Sequence, residues 1–527
     1  MNRKHTKQTH MWRSLAVSAI VFGSLVLTAC NGDDAAGAGE DGPAAENGEA
    51  ADNGELASEQ ELTVAAGTFP VTLDPHEYPE SAVQAVVQHF MDPLLRLEGE
   101  DFEPTLAESW DTPDELTWVF NLRDDVEFHD GSPFTAEDVR ASIERLIDAE
   151  GTLAPLWDPV DEIEVTDDHT LTIRTEEPMG TMLSTASLLL IGPADQMDEE
   201  GYWQEPVGTG PFVVEEFATD ERLVMTQNED YWDGAPDLDR LEYQDIPEDA
   251  ARITALTTGE VDVLTSVPTD QVSTVDGEPG VVFETGPGLT YYFNWFNASE
   301  EPFDDERVRQ AMWYAVDTAS MVEDLYGDGA ELARAPIPQE VFGAPELDPY
   351  PYDPERALEL LEEAGYPDGF QTSLQWDGGT GETQRAVAQT MISHWAEIGV
   401  EVEPLDKERA QWLEDLEGLN FAMNLQRNSV ATGDADYTLG RLYTCEADRM
   451  GYCNEELDQL LSDARAAVDP DERIDLYHEA SEIIWEEAIG IFPIDLAENA
   501  AYRERVQGFE LQPNGRHRFH EVSVTDE

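Results

Sequence analysis

The stretch from Thr117 to Leu146, TWVFNLRDDVEFHDGSPFTAEDVRASIERL, determines the local fold around it. Its first residues alternate in polarity, with Trp118, Phe120 and Leu122 on one face, and this pattern predicts a half-buried β-strand. The dipeptide Asp130-Gly131 is a turn signal that breaks the strand. The chain therefore has to reverse or change element before residue 135.

A capped helix is predicted directly after this turn. Thr135 is placed to act as the N-cap, Asp138 occupies the reciprocal position three residues later, and Phe134 can pack on Val139 as a hydrophobic staple. A strand, a turn and a helix encoded in one short stretch predict a rigid structural unit. His129 is the only residue here that invites a catalytic or metal-binding interpretation, and a structural role is expected, because a single histidine beside a turn is usually structural.

Two segments of this stretch resemble a known signature. FHDG at 128–131 and PFTAEDV at 133–139 resemble the signature segment of the family 5 extracytoplasmic solute-binding proteins, which are the dipeptide, oligopeptide and nickel receptors of ABC importers. The resemblance continues in order from about Leu73 to Phe509. It includes PFDDERVRQAMWYAVD at 302–317, YDPERALELLEEAGYPDGF at 352–370 and VQGF at 506–509.

The resemblance implies a fold class and a domain organisation. The family fold is α/β, two-lobed and periplasmic-binding-protein-like (type II, cluster C), with an extra small subdomain. We expect lobe I to comprise residues 61–80, 196–287 and 491–527, the small subdomain to comprise 81–195, and lobe II to comprise 288–490. The chain is expected to cross between the lobes near Gly286–Gly288 and Gly490–Pro493, where glycine or proline can absorb a hinge rotation.

Helix and strand signals alternate along the chain, as an α/β lobe requires. A helix is predicted from Ser81 to Leu95, and a long helix is predicted after the cap at Pro302–Asp305. Two further helices begin with an aspartate cap and a proline in the first turn, at Asp353-Pro354 and Asp469-Pro470. The hairpin signal Asp167-Asp168 separates two short strands.

The charge of the chain excludes several partners. It carries 28 lysines and arginines against 115 aspartates and glutamates in 527 residues, a formal net charge of −87. Such a surface repels nucleic acid and anionic lipid. Beyond Lys7 the only lysine is Lys407. This composition indicates a halophilic acidic surface, adapted to salt that screens the self-repulsion, and carries no information about a ligand.

The N-terminus predicts export and anchoring. Basic residues precede an apolar run from Leu15 to Leu27, which meets Leu27-Thr28-Ala29-Cys30, so residues 1–29 are a predicted signal peptide. By resemblance to bacterial lipoproteins, Cys30 would be lipidated; the alternative is an ordinary signal peptide with an incidental cysteine. Residues 30–60 are small, polar and acidic, which predicts a disordered tether.

Several aromatic residues are candidates for the ligand site. The resemblance places the loop after Leu73 at the mouth of the cleft, where Tyr78 could reach a ligand, although a packed Tyr78 is an equal alternative. Tyr292, Trp295 and Trp376 could form walls of the cleft. The alternative for each is the hydrophobic core, since aromatic residues on strands are more often buried there.

The segment FAMNLQRNSVATGDADY at 421–437 departs from the peptide-binding pattern. Peptide-binding members carry here a Trp and an Asp that pairs with the peptide amino group; this chain has Asn428 at the Trp, and Ala431 or Thr432 at the Asp. Asp434 and Asp436 follow slightly later, so the amine anchor is displaced or missing. Arg427 could bind a carboxylate or phosphate, and its alternative is a surface ion pair.

The remaining motifs argue against catalysis. Cys445 and Cys453 are expected to form a disulfide, since two nearby cysteines in an exported chain usually pair, and no further His or Cys lies near them at metal-ligand spacing. G-x-S-x-G, H-E-x-x-H, C-x-x-C and P-loop motifs do not occur. No enzyme activity, metal or cofactor is therefore expected, and any energy for transport must come from separate subunits.

These observations combine into one functional prediction. The chain is predicted to be an extracytoplasmic lipoprotein, monomeric and membrane-anchored, that captures a peptide or related small solute between two lobes and delivers it to an ABC permease and its ATPase. Nickel chelates, glycans and other organic solutes stay open as ligands. The rival classes are an anchored hydrolase and a sensor or chaperone-like lipoprotein without a transporter.

Overall fold

A computed structural model describes residues 56–99 and 101–526. The predicted signal peptide, the lipidation site Cys30 and most of the predicted tether lie outside the described residues. Within the described part of the chain, no helix combines the length and the apolar composition needed to cross a bilayer.

The strands are numbered in chain order. They are β1 Glu61–Ala66, β2 Leu95–Glu98, β3 Asp101–Pro104, β4 Ala107–Asp114, β5 Thr117–Leu122, β6 Val160–Asp167, β7 Thr170–Thr175, β8 Phe212–Ala218, β9 Arg222–Gln227, β10 Arg240–Asp245, β11 Val263–Leu264, β12 Val281–Phe296, β13 Ala330–Leu332, β14 Gln371–Asp377, β15 Glu401–Lys407, β16 Met423–Ser429, β17 Gly490–Arg503, β18 Val506–Gln507 and β19 Ser523–Val524.

The α-helices are numbered in the same way. They are α1 Ser81–Val87, α2 Ala136–Asp148, α3 Met182–Ala186, α4 Asp249–Thr258, α5 Val272–Val275, α6 Glu306–Tyr314, α7 Thr318–Leu325, α8 Pro354–Ala364, α9 Glu382–Glu397, α10 Arg409–Glu417, α11 Leu439–Leu442, α12 Glu455–Ala466 and α13 Pro470–Glu486.

One mixed sheet runs through both halves of the molecule. Its order is β15-β14-β16-β12-β17-β11-β1-β10-β9-β8, and β13 also pairs with β17. The long strands β12 and β17 pair antiparallel along their length, with an irregularity between Gly286 and Thr290 that lies opposite Leu496 and Glu498. The chain passes from one half of the sheet to the other at this irregularity. On β17 the passage therefore lies a few residues after the predicted position, Gly490–Pro493.

The hydrophobic side chains fall into separate cores on the two sides of that passage. The largest core uses residues between 289 and 494 and fills lobe II. Two cores fill lobe I, one built on β1, β8, β9, β10 and the C-terminal segment, the other beneath α4. A further core belongs to the small subdomain. Helix α1 and Phe90 pack in the lobe I core rather than with the subdomain.

The unit predicted from Thr117 to Leu146 is confirmed. Strand β5 alternates half-buried and buried side chains, and it lies in a four-stranded antiparallel sheet of order β4-β5-β7-β6. At the start of α2 the Thr135 amide donates to Asp138 Oδ2 at 2.8 Å, which is the predicted capping box. Phe134 and Val139 are both buried in the subdomain core. His129 has a structural role, because its Nε2 lies 3.0 Å from the Gly210 carbonyl.

Two helix predictions were too long. The helix predicted from Ser81 to Leu95 ends at Val87. The Phe90 carbonyl accepts the Gly210 amide at 3.1 Å, and Pro93 disfavours helical geometry in the residue before it. The helix predicted after Pro302–Asp305 is divided into α6 and α7, because the Asp317 side chain accepts the Ser320 amide and caps a new helix.

Other local predictions are confirmed. Asp353 and Asp469 cap α8 and α13, each with proline in the first turn. Strands β6 and β7 form the predicted hairpin. Cys445 and Cys453 are joined by a disulfide with Cα atoms 4.6 Å apart, which closes the short loop before α12.

Candidate functional site

A cavity of about 130 Å³ lies where lobe I and the small subdomain meet lobe II. Lobe II contributes Leu289, Glu340 and the segment 431–433. The other side is built from separate segments of the chain, namely Gln84, Gln88, Pro93, Arg96, Leu97, Glu98, Gly99, Ser187, Leu188, Leu190, Gln512, Pro513, Asn514, Arg516 and Arg518. Because both sides supply polar and charged groups, a solute in this cavity would touch both lobes at once.

Direct hydrogen bonds hold the two sides together around the cavity. The Leu289 amide donates to the Pro513 carbonyl at 3.1 Å. The Gly180 amide donates to the Arg465 carbonyl at 2.7 Å, and a Cβ at Gly180 would lie 1.8 Å from the Ala467 carbonyl oxygen. Only glycine permits this close approach of the subdomain to lobe II. The two sides of the cavity are therefore in direct contact in this structure.

Asp434, the candidate for a displaced amine anchor, is already fully engaged. It is 1% exposed, and both of its carboxylate oxygens lie 2.9 Å from Arg473 Nη2. Oδ2 also accepts the Ser184 hydroxyl of the subdomain at 3.0 Å, and Oδ1 accepts the Asp436 amide at 2.9 Å. The carboxylate raises the pKa of the Arg473 guanidinium, which is buried beside it. Asp434 therefore connects lobe II to the small subdomain in this structure, and both of its carboxylate oxygens already have donors.

The three aromatic candidates for the cleft walls lie in the lobe II core instead. Trp295 is 2% exposed and donates its indole N–H to the Tyr443 hydroxyl at 3.1 Å. Tyr292 and Trp376 are equally buried, and none of the three lines the cavity. For Tyr292 and Trp295 the reason is that β12 is covered on both faces at this end, so its side chains are buried whichever way they alternate.

The other predicted ligand residues also lie away from the cavity. Tyr78 is 41% exposed, and the structure gives it no place in the cavity lining. Arg427 is exposed on β16 opposite Tyr292, and Asn428 is half-buried with its amide 3.4 Å from the Thr438 hydroxyl. The predicted segment 421–437 reaches the cavity through Ala431, Thr432 and Gly433.

Sequence reasoning missed the charged residues that do line the cavity, of which Arg96, Glu98, Glu340, Arg516 and Arg518 are the most important. A signal was present at the end of the chain, where Arg516 and Arg518 stand close together in a sequence that has few basic residues. Arg96 and Glu340 carry no such signal, because single charges are common along this chain.

The charges in the cavity differ in how they are compensated. Arg96 pairs with Asp92 at 3.0 Å, and Arg518 pairs with Glu98 at 2.5 Å. Arg516 has no carboxylate partner among the described residues; its Nη2 lies 3.4 Å from the Ala431 carbonyl, and its buried Nε has no acceptor. Desolvation lowers the pKa of Arg516 to about 10, which still leaves it charged at neutral pH.

The family model for bacterial extracellular solute-binding proteins, family 5 (middle), matches residues 101–449. The chain belongs to this family. The resemblance of its signature segments and the predicted α/β, two-lobed periplasmic-binding-protein-like fold are thereby confirmed.

Relatives of this solute-binding protein cover nearly the whole folded chain. The glutathione-binding protein GsiB of Escherichia coli (strain K12) is 28% identical over 488 residues, which are 88% of this chain and 94% of that protein. The protein of the same name from Salmonella typhimurium is 29% identical over 479 residues, or 86% and 93% of the two chains.

Solved structures of similar proteins agree with this family assignment. HbpA2 from Haemophilus parasuis has a TM-score of 0.82 at 27% identity and covers 88% of this solute-binding protein and 100% of its own chain. A nickel ABC transporter structure from Bacillus halodurans has a TM-score of 0.78 at 27% identity, with coverage of 88% and 100%. The periplasmic binding protein DppA from Helicobacter pylori, in complex with the peptide STSA, has a TM-score of 0.71 at 26% identity, with coverage of 88% and 98%.

Proposed function

We propose that this protein is the lipid-anchored extracytoplasmic receptor of an ABC importer, and that it encloses a small peptide or peptide-like solute in the cavity between its lobes. One observation carries the proposal. The cavity is lined by charged and polar residues from both lobes, and the strands β12 and β17 run from one lobe to the other.

This geometry suits capture by closure. A solute that contacts both sides binds the closed arrangement more tightly than the open one, so it shifts the population toward the closed form. The irregularity in the pairing of β12 with β17 is the natural hinge, since backbone hydrogen bonding is already interrupted there. The membrane subunits would then recognise the closed form and release the solute unchanged.

A peptide is the favoured solute class. Curated relatives bind glutathione by name, and a structural neighbour was solved with a bound peptide. A cavity of about 130 Å³ is smaller than the about 300–1,000 Å³ typical of sites for drug-sized ligands, so the ligand is short or the lobes close less far around it. A bare metal ion is a poorer candidate, because no group of His, Cys, Asp and Glu suitable for a metal occurs among the described residues.

The anchor and the partners follow from the N-terminal sequence and the family. The Leu27–Cys30 segment supports lipidation of Cys30, and the acidic segment after it supports a tether that holds the folded part off the membrane. We propose a monomeric receptor that meets an ABC permease and its ATPase subunits.

Solute binding and closure test this function directly. The mature protein, kept in high salt, is mixed with pooled dipeptides and tripeptides, glutathione, a nickel chelate and neutral sugars, and bound species are identified by native mass spectrometry. We expect one class to bind intact and to reduce the radius of gyration measured by X-ray scattering. Hydrolysis of the bound solute, or an absence of binding and of compaction with every class, would refute the receptor function.

The anchor needs a separate experiment. The intact precursor and its Cys30→Ala variant are expressed in bacteria fed labelled palmitate. The intact precursor should carry the label and be found in the membrane fraction. The Cys30→Ala variant should do neither. Equal labelling of both would show that the lipid, if any, is attached elsewhere.

A further inference from the structure

Two charged groups in the cavity lack a partner of opposite charge, and they come from opposite sides of it. Arg516 belongs to the C-terminal segment of lobe I, and Glu340 belongs to the loop between β13 and α8 in lobe II. Within the described part of the chain neither side chain forms an ion pair, with each other or with any other group. The remaining lining charges Arg96, Glu98 and Arg518 are all paired.

A second arginine shows how this fold compensates a buried guanidinium when no ligand is involved. Arg309 also lacks a carboxylate partner among the residues that the structure describes, but it donates to the carbonyls of Phe303, Glu487 and Ala488 at 2.9 to 3.2 Å. Arg516 has one long bond to the Ala431 carbonyl, and its buried Nε has no acceptor. Backbone carbonyls therefore satisfy the hydrogen-bond donors of Arg309, whereas Arg516 retains N–H donors without an acceptor in the described residues.

The acidic composition of the chain makes it notable that Arg516 has no acidic partner among the described residues. The chain has about four acidic residues for each basic one, 115 against 28, so an acidic partner for an arginine is easy to supply. A guanidinium that is desolvated without a counter-charge destabilises the closed form, because the loss of hydration is not offset. An incoming carboxylate would offset it and would match the fork of guanidinium donors.

Glu340 complements this cation from the opposite lobe. A half-buried carboxylate without a partner at the cavity attracts an ammonium group, and it does so from the lobe that Arg516 does not belong to. A ligand that carries both charges would therefore connect the two lobes electrostatically.

Building on the proposed receptor function, we propose that the ligand is a zwitterion whose carboxylate binds Arg516 and whose ammonium group binds Glu340. This assigns the amine-binding role to Glu340 in place of the engaged Asp434. Both residues are specificity determinants, because each recognises one charged end of the ligand.

The test compares peptides that differ only in one charged end. The probes are a pool of dipeptides and tripeptides with free termini and uncharged side chains, the same pool as C-terminal amides, and the same pool with N-terminal acetyl groups. Affinities are measured by calorimetry for the wild type, Arg516→Gln and Glu340→Gln. The matched controls are Arg222→Gln and Glu323→Gln, which make the same charge changes at the surface away from the cavity.

We expect the wild type to prefer the free peptide over its amide by at least about thirtyfold, which is the size expected for a desolvated charge pair. Arg516→Gln should bind the free peptide and the amide within about threefold of each other, and Glu340→Gln should lose the preference over the acetylated peptide in the same way. Both controls should keep both preferences. A variant that merely misfolds would lose all affinity and its melting transition, and would not selectively lose one preference.

The inference is refuted if Arg516→Gln retains the preference for the free carboxylate, or if the wild type binds amides as tightly as acids. It is also refuted, while the receptor function stands, if the wild type binds no peptide but closes around a neutral sugar or a nickel chelate. If no solute of any class binds and the lobes do not close, the receptor function fails together with it.

Discussion

Two charged clusters at the boundary between the lobes contrast sharply. In the first, Asp434 is buried with Arg473 and Ser184, and each carboxylate oxygen has donors. In the second, Arg516 and Glu340 line the cavity, and neither has a partner of opposite charge in the described part of the chain. The described residues satisfy the charges of the first cluster and leave those of the second without a counter-charge. The comparison separates a charge pair that supports the fold from the two cavity charges to which we assign ligand recognition.

The largest effect should come from breaking the paired cluster. Arg473→Ala leaves the Asp434 carboxylate buried without its cation and removes the Arg473 contacts with the Phe342 and Tyr477 rings. We expect the free energy of unfolding in urea to fall by about 3–5 kcal/mol. Arg174→Ala, which loses only ion pairs at the surface, should change it far less. Similar values for both variants would contradict the structural role of Arg473.

A second buried acid extends the comparison to groups that can change their charge. Asp495 on β17 is buried, and its Oδ1 has no hydrogen-bond partner among the described residues. Burial and the nearby Glu331 carboxylate raise the pKa of Asp495 to about 8. Because this folded pKa lies above the unfolded value, the folded protein binds an extra proton between roughly pH 4 and 8. Asp495 therefore causes stability to fall as the pH rises through that interval, by up to about 1.4 kcal/mol per pH unit.

The variant Asp495→Asn should remove that slope. The free energy of unfolding is measured at several pH values, and the difference between variant and wild type should move in favour of the variant as the pH rises from about 4 to 8. The exposed Glu323→Gln is the control and should give a constant difference. A pH-independent difference for Asp495→Asn would mean that Asp495 is charged in the folded protein.

Unlike Asp495, an arginine stays charged when it is buried at neutral pH. We therefore expect the ligand-free protein to tolerate the replacement of Arg516. Arg516→Met, without ligand, should leave the free energy of unfolding unchanged or raise it by about 1 kcal/mol, because an apolar side chain replaces a desolvated cation. The same substitution should abolish tight solute binding. A loss of several kcal/mol in the ligand-free protein would mean that Arg516 is compensated within the fold, as Arg309 is.

The smallest effect concerns the hydrogen bond between Ser184 of the small subdomain and Asp434 of lobe II. Ser184→Ala removes the donor to Asp434 Oδ2 and should cost the closed form about 1 kcal/mol, a shift of about fivefold toward the open form. X-ray scattering without ligand should show a larger mean radius of gyration. Ser187→Ala is the control, since its hydroxyl donates within its own segment to the Ser184 carbonyl. An equal radius for both variants would show that this bond does not influence closure.

Local elements were largely predictable from the sequence. The strand at 117–122, the capping box of Thr135 and Asp138, and the aspartate-proline starts of α8 and α13 depend on residues within a few positions of one another. The early end of α1 was not predictable, because the Phe90 carbonyl is used by Gly210, which is far away in the sequence. The burial of Trp295 depended likewise on what covers both faces of β12.

The sequence by itself determined the family, the alternation of strands and helices and the strongly acidic character of this protein. Only the tertiary structure decided which charges face the cavity and which of them remain unpaired. The physical reason is distance along the chain. Caps and turns are hydrogen bonds between near neighbours, whereas Arg516, Glu340 and Asp434 acquire their surroundings only when segments from both lobes pack together.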